Sequence, residues 1–372
     1  MLNFITAISR IFVGGLFIFS GFVKAVDPLG FSYKLQEYFE VFGMEFLMPI
    51  ALVLSILLVV IEILCGVYLL FGLRNKQNAW LLLGMIVFFT WLTGYSAITG
   101  KVTDCGCFGD AIPLEPIESF YKDLILLVLI VWLFIRRNTI KPLFAGKERL
   151  ILACGLLFSL FFPSYGLSHL PVLDFRAYQI GSDIKKGMEV PEGAALPIYE
   201  DTWYYDVNDK VETFTTDDKP WEIPGARFVD RKSVQIQKGY VPPIHDFTIV
   251  GENGDVTEAI LNADWAFLFI NYDMGKSSSD GQVMINKLAA SCDDNGIIHI
   301  GMTGSLESEV EVYKRKNNVT YPFFTTDPTT LKTIVRSNPG IVLLQSGVVR
   351  GKWHFNDTPN WEDLTEEFPD LK

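Results

Sequence analysis

The stretch Asp104-Cys105-Gly106-Cys107-Phe108-Gly109 lies in a short polar loop, residues 103 to 110, with long apolar runs on either side. Two thiols separated by one glycine suit thiol–disulfide exchange, because one sulfur can be attacked while its neighbour resolves the mixed disulfide. The glycine lets the chain bend sharply. Asp104 and Asp110 flank the pair, and nearby negative charge raises a thiol's pKa and thins its thiolate population. A structural bridge closing the loop is the second reading. Metal binding is the third, but two thiolates without a second pair or a histidine fall short of a four-ligand zinc site.

Outward from the loop, the first 168 residues are almost entirely apolar. Runs at 4–25, 47–72, 79–99, 119–136 and 149–166 approach or exceed the roughly 20 helical residues that cross a hydrocarbon core. The first run ends in Val23-Lys24-Ala25-Val26-Asp27-Pro28 with no peptidase site, so it is read as a retained span stopped by Pro28. The expected layout is a bundle over 1–138, then a cytoplasmic loop and fifth span over 139–168.

Basic residues gather in alternate loops. Arg74 and Lys76 follow the second run, and Arg136, Arg137, Lys141, Lys147 and Arg149 lie between the fourth and fifth. The other loops hold only Lys24, Lys34, Lys101 and Lys122. By the positive-inside rule the amino terminus is cytoplasmic. The Cys-Gly-Cys loop and everything after about residue 168 are then expected in the periplasm, beyond the inner membrane, where disulfides persist. Cys65 and Cys154 fall within spans and are read as small buried hydrophobes.

One acid stands inside the apolar runs. Glu62, in Val60-Ile61-Glu62-Ile63-Leu64-Cys65-Gly66, is costly in hydrocarbon and marks either a functional site or a hydrogen-bonded packing residue. Gly14, Gly15 and Gly21 of the first run, with Gly66 and Gly72 of the second, offer small surfaces for close helix approach.

The whole chain has 372 residues and a net charge of −12, a balance that argues against a nucleic-acid partner. Its five cysteines are too few and too scattered for a disulfide scaffold. Residues 169–240 are rich in turn formers and short β-like runs, such as Thr202-Trp203-Tyr204-Tyr205-Asp206-Val207, and are expected to form an antiparallel element. From 241 to 372 strands alternate with helices, which predicts an α/β layer. Its first strands are Phe247-Thr248-Ile249-Val250 and Ala266-Phe267-Leu268-Phe269-Ile270-Asn271; Asn338-Pro339-Gly340 opens a late strand.

These residues carry two resemblances. Residues 4–136 resemble the DoxX-like and methylamine-utilisation MauE family of membrane helical proteins, on three matches. They are the run Arg10 to Lys24, Glu62 with Gly66, and the Asp104-Cys105-Gly106-Cys107-Phe108-Gly109 loop. The whole layout is similar to the Bacteroidetes type of DoxX protein, a four-helix core plus a fifth span followed by an α/β domain. The MauE-like resemblance implies help with disulfide formation in secreted partners, with Cys105 and Cys107 as the exchanging pair. The carboxy-terminal region resembles the thioredoxin-like fold. A catalytic thioredoxin carries Cys-x-x-Cys where this chain reads Tyr272-Asp273-Met274-Gly275-Lys276-Ser277-Ser278-Ser279. Ser277 or Ser278 can cap a helix there. Asn338, Pro339 and Gly340 match the loop that faces bound peptide in thioredoxins, which implies a partner-binding surface without the chemistry.

Three functional readings follow. In the first, the membrane bundle exchanges thiols and disulfides with a secreted client through Cys105 and Cys107, while the thioredoxin-like domain holds that client. In the second, the protein is a non-catalytic scaffold or accessory subunit of an envelope complex. In the third, it carries a small molecule using Glu62. Membrane lipid is a partner in all three. The sequence requires no cofactor, and it is silent on a quinone.

Overall fold

The computed structural model describes residues 2–371 apart from 103, 105, 145, 196, 208, 209 and 238. Its amino-terminal half is a helical bundle. Helix α1 runs Leu2–Val26 and stops at Asp27, whose side chain accepts from Gly30 N at 2.9 Å and so caps α2, Pro28–Val41. Asp-Pro therefore starts a helix as well as ending one, because proline is preorganised for a first helical turn. The sequence reading took Pro28 only as a stop and missed α2.

The bundle continues with α3, Ala51–Phe71, preceded by a 3-10 turn over Glu45–Ile50. Next come α4, Asn75–Thr99, α5, Pro116–Arg136, and α6, Glu148–Ser168. Among the described residues, the helices Leu2–Val26, Glu45–Phe71, Asn75–Thr99 and Glu148–Ser168 are long and apolar enough to cross a membrane. Helix α5 carries Glu118, Lys122 and Asp123 near its start, yet it buries Leu126, Ile130 and Leu133 in the core shared with Val13, Phe17, Cys65 and Ile86. It is the bundle's fifth long helix by packing.

The expected glycine contact is present. A Cβ on Gly66 would lie 2.7 Å from the Gly14 carbonyl oxygen, and one on Gly21 would lie 2.6 Å from Ile63 Cγ1. Helices α1 and α3 thus touch backbone to backbone, as small residues permit. Cys65 is buried, whereas Cys154 is exposed on the outer side of α6, so the reading of Cys154 as a buried hydrophobe is corrected.

After the short helix α7, Ile184–Met188, a separate three-stranded antiparallel sheet forms in the order β2-β1-β3. Its strands are β1, Ile198–Val207, β2, Lys210–Thr215, and β3, Arg227–Gln237.

The α/β domain holds a seven-stranded sheet. In chain order its elements are β4, Val250–Gly251, β5, Gly254–Asp255, α8, Thr257–Leu261, β6, Ala266–Ile270, and α9, Ser279–Asn295. They are followed by β7, Ile298–Thr303, α10, Glu307–Asn317, β8, Phe323–Thr325, and α11, Pro328–Ile334. The last are β9, Gly340–Gln345, β10, Val348–His354, and α12, Trp361–Glu367. Strand order is β10-β9-β6-β7-β8-β4-β5. Strands β6 and β7 are parallel, β9 runs antiparallel to β6, and the Asn338–Pro339 bond before β9 is cis. This βαβ crossover beside a terminal hairpin is the thioredoxin-like arrangement.

Every residue of β6 is buried, and its side chains alternate between two cores, as a pleated strand covered on both faces requires. Phe267 and Phe269 pack with α9, α10 and α12, while Leu268 and Ile270 pack with α8 and α11.

Two boundaries differ from expectation. Of the segment 247–250, only Val250 joins a ladder, although Phe247 and Ile249 are fully buried. Residues 170–188 belong to the α/β domain rather than to the β-rich segment. Tyr178 and Ile184 enter its core, Ile184 N donates to Gly347 O, and Lys352 of β10 donates to Asp174 at 2.6 Å.

Candidate functional site

Glu62, the acid singled out within the apolar runs, is not alone. Lys24, on the last turn of α1, places its ammonium 2.7 and 3.0 Å from the two carboxylate oxygens. Both side chains are about 5 % exposed. The third ammonium proton goes to Ser20 Oγ at 3.1 Å, one helical turn earlier on the same face. Ser20 Oγ in turn donates to the Cys107 carbonyl at 2.7 Å. One hydrogen-bonded chain therefore links the intramembrane acid to the Cys-Gly-Cys loop. A buried pair costs desolvation that its mutual attraction barely repays, so it is weak evidence of stability and a better marker of function or register.

A second acid lies across from the first. Asp123 of α5 accepts from Thr93 Oγ1 of α4 at 3.1 Å and lies 3.2 Å from Lys122 Nζ. Both clusters face one cavity of about 580 Å³, and Cys107 lines it with them. The remaining walls are almost all apolar, with Phe17, Leu57, Phe88, Trp91 and Leu126 among them.

The loop is clamped to the bundle. Gly106 has φ +67°, a conformation other residues adopt only under strain, and its N–H donates to Asp104 at 3.0 Å. Phe108 is buried against Phe19 and under the Lys122 ammonium. Lys34 of α2 lies 3.7 Å from Asp104 and in contact range of Gly106. Burial lowers the Lys34 pKa, but Asp104 and Glu37 outweigh it and hold the group above its ordinary value. Burial also lifts the Asp110 carboxyl, against the pull of Arg336. Cys107 is half-buried; Cys105 lies outside the described residues.

The α/β domain docks on this end of the bundle. Arg336 binds both oxygens of Asp27, at 2.8 and 3.1 Å, and reaches toward Asp110 at 3.8 Å. Burial pushes the Asp27 carboxyl up, yet Arg336 and Arg176 hold it below its ordinary value. Tyr33 and Tyr272 hydroxyls meet at 3.5 Å, with the Lys332 and Arg336 cations over the Tyr33 ring. Between the two parts lies a second cavity of about 540 Å³, lined by Asp27, Lys34, Asp104, Asp110, Arg176 and Arg336. Lys24, Phe31, Lys34 and Gly106 line both cavities.

The thioredoxin-like site itself is closed. Asn271, where β6 ends, donates to Ser277 Oγ at 2.7 Å, and Ser278 caps α9 by accepting from Gly281 N. Asn338, Pro339 and Gly340, expected to form a partner-binding surface, are all buried. Asn338 donates to Asp273 O at 2.7 Å and accepts from Ser278 N at 3.0 Å. The two loops bond to each other through these backbone groups instead of presenting them to a peptide, while the Asn338 Oδ1 is buried without a partner. What reaches the junction is the neighbouring Arg336.

The sequence reading missed Lys24 as a partner, and it missed Asp123. Asp123 was open to the same rule that found Glu62, since it lies within the run 119–136. Lys24 was visible four residues after Ser20, but only the fold brings it to Glu62, 38 residues away.

Residues 2–136 match the family model described as methylamine utilisation protein MauE, which bears out the MauE side of the expected resemblance. A 145-residue stretch is 31% identical to protein TlpB of Flavobacterium psychrophilum; it covers 35% of this chain and 32% of that protein. The chain therefore spans about a third of the length of that curated relative. The solution structure of a putative protein disulfide isomerase from Bacteroides thetaiotaomicron is 19% identical, with a TM-score of 0.25, over 34% of this chain and 80% of that one.

Proposed function

We propose that this chain, a MauE-like membrane bundle joined to a thioredoxin-like domain, exchanges thiols and disulfides with protein clients outside the cytoplasm. Cys105 and Cys107 form the exchanging pair, and the thioredoxin-like domain is a non-catalytic module that helps wall the client's entry. The observation that carries this reading is the chain Glu62–Lys24–Ser20–Cys107, which ties the intramembrane ion pair to the cysteine loop. The distribution of lysine and arginine supports the orientation.

In the exchange, a client thiolate attacks one sulfur of the Cys105–Cys107 disulfide and releases the other as a thiolate. A second client thiolate then displaces the first bundle cysteine, which leaves the client oxidised and both bundle cysteines reduced. The junction cavity, bordered by Gly106, Asp104 and Asp110, offers the client a polar approach.

Trapping free thiols in native membranes, before and after reduction, tests the reading. Cys105 and Cys107 are expected to change state together, and a Cys107→Ser chain to accumulate a mixed disulfide with a client. A pair that never changes state sinks the proposal.

A further inference from the structure

We propose that the end of the bundle opposite the cysteine loop binds the phosphate head groups of anionic phospholipids, of the phosphatidylglycerol or cardiolipin class. The inference stands apart from the exchange reading, because it uses none of the residues around Cys105 and Cys107. Helix α4 begins at this end and α5 returns to it, with the cysteine loop between them at the other. Segments 72–80 and 134–151 hold seven arginines and lysines against one acid, Glu148, in a chain whose net charge is −12.

The cations share one surface because the two segments are joined. Leu143 N donates to the Phe71 carbonyl at 3.0 Å, and Asn75 Nδ2 donates to the Ile140 carbonyl at 2.8 Å. Gly72, at φ +69°, comes so close that a Cβ there would lie 2.6 Å from the Lys141 carbonyl oxygen. The loop after α3 and the loop after α5 therefore meet. Arg136 and Arg137 direct donors to neutral partners, Asn3 Oδ1 and the Phe134 carbonyl. Arg74, Lys76, Lys141, Lys147 and Arg149 are exposed. Among the described residues none of these cations is in an ion pair.

Charge alone suits any polyanion, but this surface also carries apolar side chains. Trp80, Leu143, Phe144 and Leu150 are exposed beside the cations, at 63%, 61%, 49% and 61%. Phe144 packs against Phe71 and Trp80 edge-on against Phe134, with ring centroids 5.9 and 4.6 Å apart, so both exposed rings are held in place. A nucleic acid leaves such groups wet. A phospholipid covers them with its chains while its phosphate meets the cations, and a net negative head is favoured over a zwitterionic one whose own ammonium is repelled. A tryptophan at head-group level fits the same boundary.

The full chain is placed in nanodiscs that mix phosphatidylglycerol and phosphatidylcholine equally, with bromine on the chains of one lipid or the other. Bromine quenches nearby tryptophan, and the quenching lost in Trp80→Phe reports the lipid at this surface. Both leaflets have the same composition, so the chain's orientation does not matter. Phosphatidylglycerol should exceed phosphatidylcholine beside Trp80 by about fivefold or more, the effect of one cation near a membrane surface. Lys76→Gln with Lys141→Gln should remove most of that excess, and Lys76→Arg with Lys141→Arg should keep it. Lys101→Gln, at the other end of the bundle, should leave it unchanged. In the wild-type chain the excess should vanish toward roughly 1 M salt, where charges are screened beyond about 3 Å.

Equal quenching by the two brominated lipids overturns the inference, as does an excess that high salt or the neutralised pair leaves intact. An excess that Lys101→Gln also abolishes reduces the effect to the protein's total charge. One abolished by added glycerol 3-phosphate assigns the surface to a soluble phosphate ester, and either result equally overturns the lipid site.

Discussion

In the bundle, Glu62, Lys24, Thr93 and Asp123 surround a cavity, whereas in the α/β domain Asn271, Ser277, Tyr313 and Gln282 surround one another. The second group is a packed network in which the Asn271 Oδ1 alone is buried without a hydrogen-bond partner. Ser277 Oγ lies 3.0 Å from Tyr313 OH, which donates to Gln282 at 3.1 Å, and Gln282 donates to Tyr321 at 2.7 Å. It occupies the place of a redox pair and holds strand β6 to helices α9 and α10. The bundle's group leaves polar atoms beside open volume and beside a cysteine. Both groups bond among themselves, and the bundle's differs in bordering a cavity that a cysteine also lines.

The sharpest way to break this contrast is at the ion pair. Glu62→Leu strands a buried ammonium and is expected to destabilise the bundle by about 3–5 kcal/mol, with most of that recovered when Lys24→Met is added. Thermal unfolding in micelles reads both, and a double variant as unstable as the single one would show that the charges are not partners. Next in size, Leu343→Ala opens the fully buried core between β9 and α9. It is expected to cost about 2–5 kcal/mol and to lower the α/β domain's melting alone. If the bundle's transition moves as far, the two regions are one cooperative unit.

Arg336→Gln acts between them. Loss of its charge-assisted bonds to Asp27 is expected to weaken docking by about 1.5–3 kcal/mol, seen as reduced cross-linking between cysteines introduced at Tyr33 and Lys332. The same contact predicts a pH dependence. Asp27 has a folded pKa below its ordinary value, so its contribution is complete above the ordinary carboxylate pKa of about 3.9 and fades as pH falls through the lowered value. Docking should be constant from pH 5 to 8, and a loss within that interval would assign it to another group. Smallest, Ser277→Ala should cost about 0.5–1.5 kcal/mol in the α/β domain and leave thiol exchange unchanged. A fall in exchange would give that site a role beyond structure.

Much of this was legible in the chain. The glycines of the first two apolar runs read as surfaces for close helix approach, and Ala266 to Asn271 read as a strand. Glu62 was marked as costly. Its partner was not, because ion pairing between helices depends on rotation about their axes, which apolar periodicity fixes only when one face is distinctly polar. The same blindness hid the closure of Asn338 on Asp273, a contact between loops 65 residues apart. Tyr178 and Ile184 were overlooked as core because turn formers surround them, and short apolar contributions from a linker carry no period.

The Asp27–Arg336 contact spans 309 residues of chain. At synthesis rates of about 5–20 residues per second, roughly 15–60 seconds separate the appearance of its two halves. During that interval the bundle already owns its cysteine loop while the junction is still uncovered. A nascent chain thus holds its cysteine loop before the junction that borders Gly106, Asp104 and Asp110 has formed, so the young protein needs protection at that end of the bundle.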